Sequence, residues 1–146
     1  MASPFADEIV HGCLAVRIRL ISRAVTGIYD RAIERHGLTI AQVNLLAAVD
    51  MAGPCAPTTL GDILQLERST VSRNLSLLLK QGWIDAKASD AKGVREVALT
   101  RTGRKKLESV MPDWRYAQDQ ATQLVGAEGA EAIRALAANL SDLPTG

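Results

Sequence analysis

Between Glu67 and Gln81 the chain reads Arg68-Ser69-Thr70-Val71-Ser72-Arg73-Asn74-Leu75-Ser76-Leu77-Leu78-Leu79-Lys80. The chemistry this run offers is hydrogen bonding to an anionic partner that carries acceptors and donors. Ser69, Thr70, Ser72 and Ser76 supply short hydroxyls that reach phosphate oxygens or base edges. Arg73 adds a planar guanidinium fork that matches the O6 and N7 atoms of guanine, which makes it the leading candidate for reading sequence. Val71, Leu75, Leu78 and Leu79 recur at helical spacing, so the segment is expected to be a helix with one apolar stripe and the hydroxyls away from it. A hydroxyl-rich helix face can also be plain solvated surface, so the elements around it decide its meaning.

Those elements are consistent with a DNA-reading task. Upstream, Thr59 is expected to cap a short helix Leu60 to Leu66, with Asp62 near the positive end of its dipole. Downstream, Gly82 supplies a left-handed stop, and Ile84 to Ala88 alternates apolar and polar residues as a half-buried strand does. Arg95 to Leu99 places Val97 and Leu99 on one face, and Ser89 to Val94 supplies the turn between the strands. Two short helices followed by a hairpin make a winged helix-turn-helix, whose second helix enters the major groove. The candidate DNA contacts are Thr58, Thr59, Arg68, Ser69, Thr70, Ser72, Arg73, Ser76 and Lys80 on the helices. Lys87, Lys92 and Arg95 join them on the wing.

Charge is distributed to suit this reading. From Thr59 to Lys106 there are ten bases against five acids, whereas the rest of the chain holds seven bases and eleven acids. The middle segment is therefore a positive region on a mildly acidic body.

The flanks are expected to be helical. Ile9, Cys13, Val16, Leu20, Val25, Ile28 and Tyr29 suggest one long helix from Ile9 to Ile33, ended by His36-Gly37. It is longer than so small a domain needs, which suggests packing against a second copy. Thr39 to Gln42 has capping-box spacing and opens a helix to Met51, and Gly53-Pro54 breaks the chain. Thr100 can cap a long helix through Gln123 that Pro112 should kink, and Ala127 to Leu140 is a final helix. The fold class is mainly α with a small two- or three-stranded β wing. Residues 39–106 form the DNA-binding unit, and 1–38 with 107–146 form a helical dimerisation region.

The segment Leu60-Gly61-Asp62-Ile63-Leu64-Gln65-Leu66-Glu67-Arg68-Ser69-Thr70-Val71-Ser72-Arg73 resembles the helix-turn-helix of the MarR family of transcriptional regulators. His36-Gly37-Leu38-Thr39, Gln81-Gly82-Trp83-Ile84 and the run from Asp90 to Leu99-Thr100-Arg101-Thr102-Gly103 resemble that family's flanking segments, in order along nearly the whole chain. The resemblance implies a dimer on double-stranded DNA, with repression relieved by a small molecule or by oxidation. It departs from the family pattern at Gln65, where a turn glycine is usual, at Lys92, where an arginine is usual, and at Glu96, an acid beside Arg95.

Other chemistry is weakly signalled. Cys13 aligns by position with the reactive cysteine of peroxide-sensing relatives, with His11 and Arg17 as the available helpers, although packing at a dimer interface also accounts for it. Trp83 is expected to anchor the recognition helix to the first wing strand. Trp114 and Tyr116 are candidates for the lining of an effector cleft, with interface packing as the alternative for Trp114. Arg104-Lys105-Lys106 could touch phosphates or be solvated, and His36 belongs to a helix end. The two cysteines, Cys13 and Cys55, suggest neither a disulfide framework nor a metal site.

The chain carries no catalytic signature such as G-x-S-x-G, H-E-x-x-H or a phosphate loop, so an enzyme is not expected, nor is any cofactor. With no long apolar run and an acidic start, the expected place is the cytoplasm rather than a membrane. An aliphatic interior favours a small apolar or aromatic effector. The alternatives are a redox-sensing regulator using Cys13 and a winged-helix protein-interaction module without DNA binding.

Overall fold

The computed structural model describes residues 1–89, 93 and 95–140. It contains α1 (Pro4–Gly12), α2 (Leu14–Ile33), α3 (Ile40–Ala52), α4 (Pro57–Leu64), α5 (Arg68–Lys80), β1 (Ile84–Ala88), β2 (Arg95–Leu99) and α6 (Arg101–Leu140). A mainly helical chain with a two-stranded antiparallel wing is the architecture expected from the sequence.

The first helix departs from expectation. The chain does not run unbroken from Ile9 to Ile33, because Cys13 is extended (φ −67°, ψ 117°) and separates α1 from α2. Gly12 weakens the helix just before this point. The Arg17 guanidinium holds the elbow, donating to the carbonyls of Val10, Cys13 and His11 that end α1. α1 buries none of its residues against its own chain.

Beyond α2 a 3₁₀ turn, Glu34–His36, ends at Gly37 in the left-handed conformation. The capping box then forms as expected: Thr39 Oγ1 accepts from the Gln42 N–H, and Gln42 Oε1 accepts from the Thr39 N–H at 3.1 Å. Asp30 on α2 accepts from the Ile40 N–H at 2.8 Å, satisfying another free donor of the first turn of α3 and tying the two helices together.

The core gathers Ile33, Leu45, Leu46, Leu60, Val71 and Leu78, all with almost no exposed surface, from α2, α3, α4 and α5. α2 packs along α6, and α3 packs on α4, α5, α6 and β2. The wing register pairs Ile84 with Leu99 and Ala86 with Val97. Cys55 and Val97 exchange backbone hydrogen bonds at 3.1 and 2.8 Å, which adds a one-residue third strand. Both cysteines are free, and burial pushes the Cys55 thiol up.

Three further expectations are corrected. α4 begins at Pro57 with Ala56 as its cap, so Thr58 and Thr59 lie in its first turn and Thr59 is not the cap. Proline fits the first helical position because its missing N–H would be unpaired there anyway. Leu79 is 38% exposed and does not belong to the buried stripe, since its neighbour Leu78 occupies the core position. Within α6 the non-helical backbone is Gly126 (φ 76°, ψ 163°), between Gln123 and Ala127 where the two helices are expected to part, and not Pro112. Pro112 is exposed, and so is Glu108, whose carbonyl loses its helical partner to the proline ring and can turn to water.

α6 is pinned to the end of α2 by Asp113. Its Oδ2 accepts from Arg35 Nε and meets His36 Nε2, both at 2.7 Å. Those two hydrogen bonds, Arg35 first, hold the carboxyl below its ordinary value. The native pKa is lower than the unfolded one, so Asp113 stabilises the fold above the ordinary carboxylate value of about 3.9 and loses that contribution as pH falls through the native pKa. Asp113→Asn is expected to lower the urea midpoint at pH 7 while narrowing the gap to wild type as pH drops below about 4. A gap that stays constant down to acid pH would show that the link does not depend on the carboxylate charge.

Candidate nucleic-acid interface

α4 and α5 are joined by Gln65, Leu66 and Glu67. Gln65 is the one described non-glycine residue with positive φ (φ 53°, ψ 50°), so the left-handed conformation usual for a turn glycine is adopted here by a glutamine. Its Nε2 donates to the Asp62 carbonyl at 3.0 Å, and the Leu66 N–H closes the turn on the Gly61 carbonyl at 2.9 Å. Gln65→Gly is expected to raise stability by about 0.5 to 1 kcal/mol in urea denaturation, because left-handed backbone is strained for a residue with a Cβ. A loss of stability would show that the hydrogen bond to Asp62 outweighs the strain.

From this turn α5 projects its polar side outward. Ser69, Arg73, Ser76 and Lys80 stand at i, i+4, i+7 and i+11, so they share one face, opposite Val71, Leu75 and Leu78; all four are exposed while the stripe is buried. Thr70 is half-buried at the flank of this face. Ser76 Oγ donates to the Ser72 carbonyl at 2.9 Å, and Asn74 Nδ2 donates to the Thr70 carbonyl at 3.1 Å. The Ser76 hydroxyl therefore faces outward as an acceptor.

Between α4, α5 and the wing lies a groove of about 1000 Å³. It brings together Thr58, Arg68, Ser69, Ser72, Ser76 and Arg95, six of the twelve residues expected to contact DNA. Arg73 and Lys80 stand on the adjoining outward face of α5, Thr59 is exposed on α4, and Lys87 is exposed on β1 opposite Glu96. Lys92 lies outside the described residues, as do Asp90, Ala91 and Val94. Among the described residues, no carboxylate is within ion-pair distance of Arg68, Arg73, Lys80 or Arg95. Uncommitted guanidinium and ammonium groups beside hydroxyls suit a phosphate backbone and base edges.

Two acids, Asp62 and Glu67, line the same groove and were not expected to take part in the site. Their place at the ends of α4 and α5 was legible as helix punctuation, but the groove between two separate elements was not. At the wing base, Lys106 Nζ lies 5.1 Å from the Trp83 ring centre, and Trp83 packs against the core.

The other candidate residues are dispersed. Trp114 packs on the core, 6.3 Å from the Tyr29 ring; the Tyr29 hydroxyl donates to Gln118 Oε1, and burial pushes its pKa up. Tyr116 is exposed and lines a separate depression of about 610 Å³ between α2 and α6, with Ile28, Arg31, Gln123 and Leu124. Cys13 is half-buried at the start of α2, where the backbone N–H groups of Val16 and Ala15 draw its thiol below its usual pKa against desolvation, with a smaller pull from Arg17. His11 is exposed and pairs with Asp7 at 3.2 Å. Among the described residues no cluster of His, Cys, Asp and Glu could hold a metal, and no helix is long and apolar enough to cross a membrane.

Known proteins share this arrangement. The model of the MarR family matches residues 36–93, from the turn before α3 through both helices of the groove into the wing. Over that segment the chain is similar to the MarR family. An uncharacterised HTH-type transcriptional regulator of Bacillus subtilis, YwoH, is 26% identical to this chain over 94 residues, which span 64% of it and 69% of the relative. A probable transcriptional regulator from Pseudomonas aeruginosa has a solved structure with TM-score 0.79 and 25% identity, covering 90% of this chain and 98% of its own. The Mycobacterium tuberculosis regulator MosR, solved in complex with DNA, gives TM-score 0.76 and 29% identity over 88% of this chain and 93% of its own. The chain shares the winged-helix fold of these transcriptional regulators.

Proposed function

We propose that this protein is a homodimeric repressor that binds a pseudo-palindromic operator and is released from it by a small-molecule effector. The observation that carries the reading is the exposed face of Ser69, Arg73, Ser76 and Lys80 on α5, whose cations have no carboxylate partner among the described residues. A helix with that face fits the major groove, with the wing strands alongside the phosphates. The DNA complex of MosR, which shares the fold, supports this partner. Residues 39–106 serve as the DNA-binding unit in this reading, and 1–38 with 107–146 as the dimerisation region.

Dimerisation is supported by apolar surface at both ends of the chain. Phe5, Ile9, Leu14 and Ile18 are 75, 63, 73 and 65% exposed, and Leu136 and Leu140 are 62 and 54% exposed. So many large apolar side chains left exposed on α1, α2 and the end of α6 mark an interface rather than a wet helix. For the effector, the depression between α2 and α6 lies within the volume range of small-molecule sites, and Tyr116 offers it an aromatic wall.

The test is selection of bound fragments from a random duplex pool, followed by footprinting, salt titration and sedimentation. A protected pseudo-palindrome with half-sites about one helical turn apart is expected, with log affinity falling by about 0.9 per decade of salt for each phosphate neutralised. Salt-insensitive or absent binding would favour a protein-interaction module. A monomer at micromolar concentration would contradict the dimer.

A second reading keeps the operator and replaces the effector by oxidation at Cys13. The lowered thiol pKa at the start of α2 favours it, since the thiolate is the form that attacks a peroxide oxygen to give sulfenic acid, with the other oxygen leaving as alcohol or water. Peroxide should then release wild-type protein from DNA but spare Cys13→Ser. An equal response of the two proteins would eliminate it.

A further inference from the structure

Leu77 is 51% exposed on α5 and plays no part in the core. At about 100° per residue it falls roughly 120° from the middle of the buried stripe, on the outward side beside Arg73. Thr70, Arg73, Asn74 and Leu77 follow i, i+3, i+4, i+7 spacing and form one edge of the helix face that carries the cations. Its neighbours one turn away along the helix are Arg73, Asn74, Lys80 and Gln81, all polar. The apolar spot is thus a single side chain framed by hydrogen-bonding groups, too small for a protein interface and about the size of a methyl contact.

We infer that Leu77 reads the C5-methyl group of a thymine in each half-site. The inference rests on the proposed DNA-binding function and extends it to a residue without any hydrogen-bonding group. The major-groove edge of a base pair presents donors and acceptors together with one apolar feature, the thymine methyl. Opposite a donor or acceptor, leucine displaces water and returns no hydrogen bond, so that base is penalised. Opposite the methyl, it removes apolar surface from water on both sides. The same side chain therefore favours thymine and disfavours the alternatives, beside the guanine contact assigned to Arg73.

The test uses the full-length protein and the duplex recovered by selection from a random pool. Each thymine is replaced in turn by deoxyuridine, which removes the methyl and keeps the Watson–Crick edge. Affinities are measured by fluorescence anisotropy for wild type and Leu77→Ala. At one thymine per half-site, loss of the methyl should weaken wild type by roughly fourfold and leave Leu77→Ala unchanged. The wild-type scan is informative by itself, so the inference does not depend on the behaviour of the variant alone. A flat wild-type scan, or equal methyl sensitivity in both proteins, overturns the inference and leaves the regulator reading standing. A pool that yields no preferred sequence overturns both.

Discussion

Gly103→Ala is expected to destabilise the fold by about 2 to 3 kcal/mol, although helix propensity alone predicts a gain of about 1 kcal/mol for the same change. Gly103 lies in the first turn of α6, buried beneath the wing base. A Cβ built there would stand 1.9 Å from the Trp83 carbonyl oxygen, 2.8 Å from its carbon and 2.9 Å from Leu99 Cδ1. The Trp83 carbonyl cannot swing aside cheaply, because it accepts from the Thr100 N–H at 3.0 Å. Thr100 is itself fixed: its hydroxyl donates to the Gly82 carbonyl at 2.7 Å and accepts from the Gly103 N–H at 2.9 Å. The close approach joins the exit of α5, the wing and the start of α6, so an intruding methyl must separate elements rather than tilt one side chain. Urea denaturation of Gly103→Ala, with exposed Thr102→Ala as a control, reads the sign directly. A gain of stability would mean that the contact yields easily and that propensity decides this position.

Helix α5 and the wing were legible in the sequence because their signals are local and agree with one another. Val71, Leu75 and Leu78 set the helical phase, Gly82 ends it in the left-handed region, and the alternation Ile84-Asp85-Ala86 fixes the inward face of β1. Thr39 and Gln42 likewise identify a cap from two residues alone. The break at Cys13 was not legible, because Ile9, Cys13, Val16 and Leu20 keep one apolar phase across it and only backbone angles separate α1 from α2. At the start of α4, Thr59 has the side chain of a cap, but Pro57 is the stronger punctuation, being suited to the first turn and little else in a helix. Pro112 is tolerated inside α6, while the break between Gln123 and Ala127, which the sequence does signal, falls at Gly126, without a Cβ to restrict it. The groove is a different kind of object. Asp62, Glu67 and Arg95 come from three elements, and their meeting depends on how the wing packs beside α5. No spacing along the chain encodes that distance.

Arg73→Ala is expected to weaken specific DNA binding by about 1 to 3 kcal/mol per half-site and to relax the preference at one base pair in each, while binding to unrelated DNA changes less. The free protein makes this a clean measurement. Arg73 has no carboxylate partner among the described residues, so truncation leaves no uncompensated charge behind and the loss reports contacts made to DNA. Arg73→Lys separates charge from shape. Lysine keeps a cation at the same point of α5 but lacks the planar fork, so the salt slope should match wild type while the base preference falls nearly as far as in the alanine variant. A lysine protein with full sequence preference would assign Arg73 to the phosphates. In that event the hydroxyls of Ser69 and Ser72, which share the groove with Arg68, would become the next residues to test for readout.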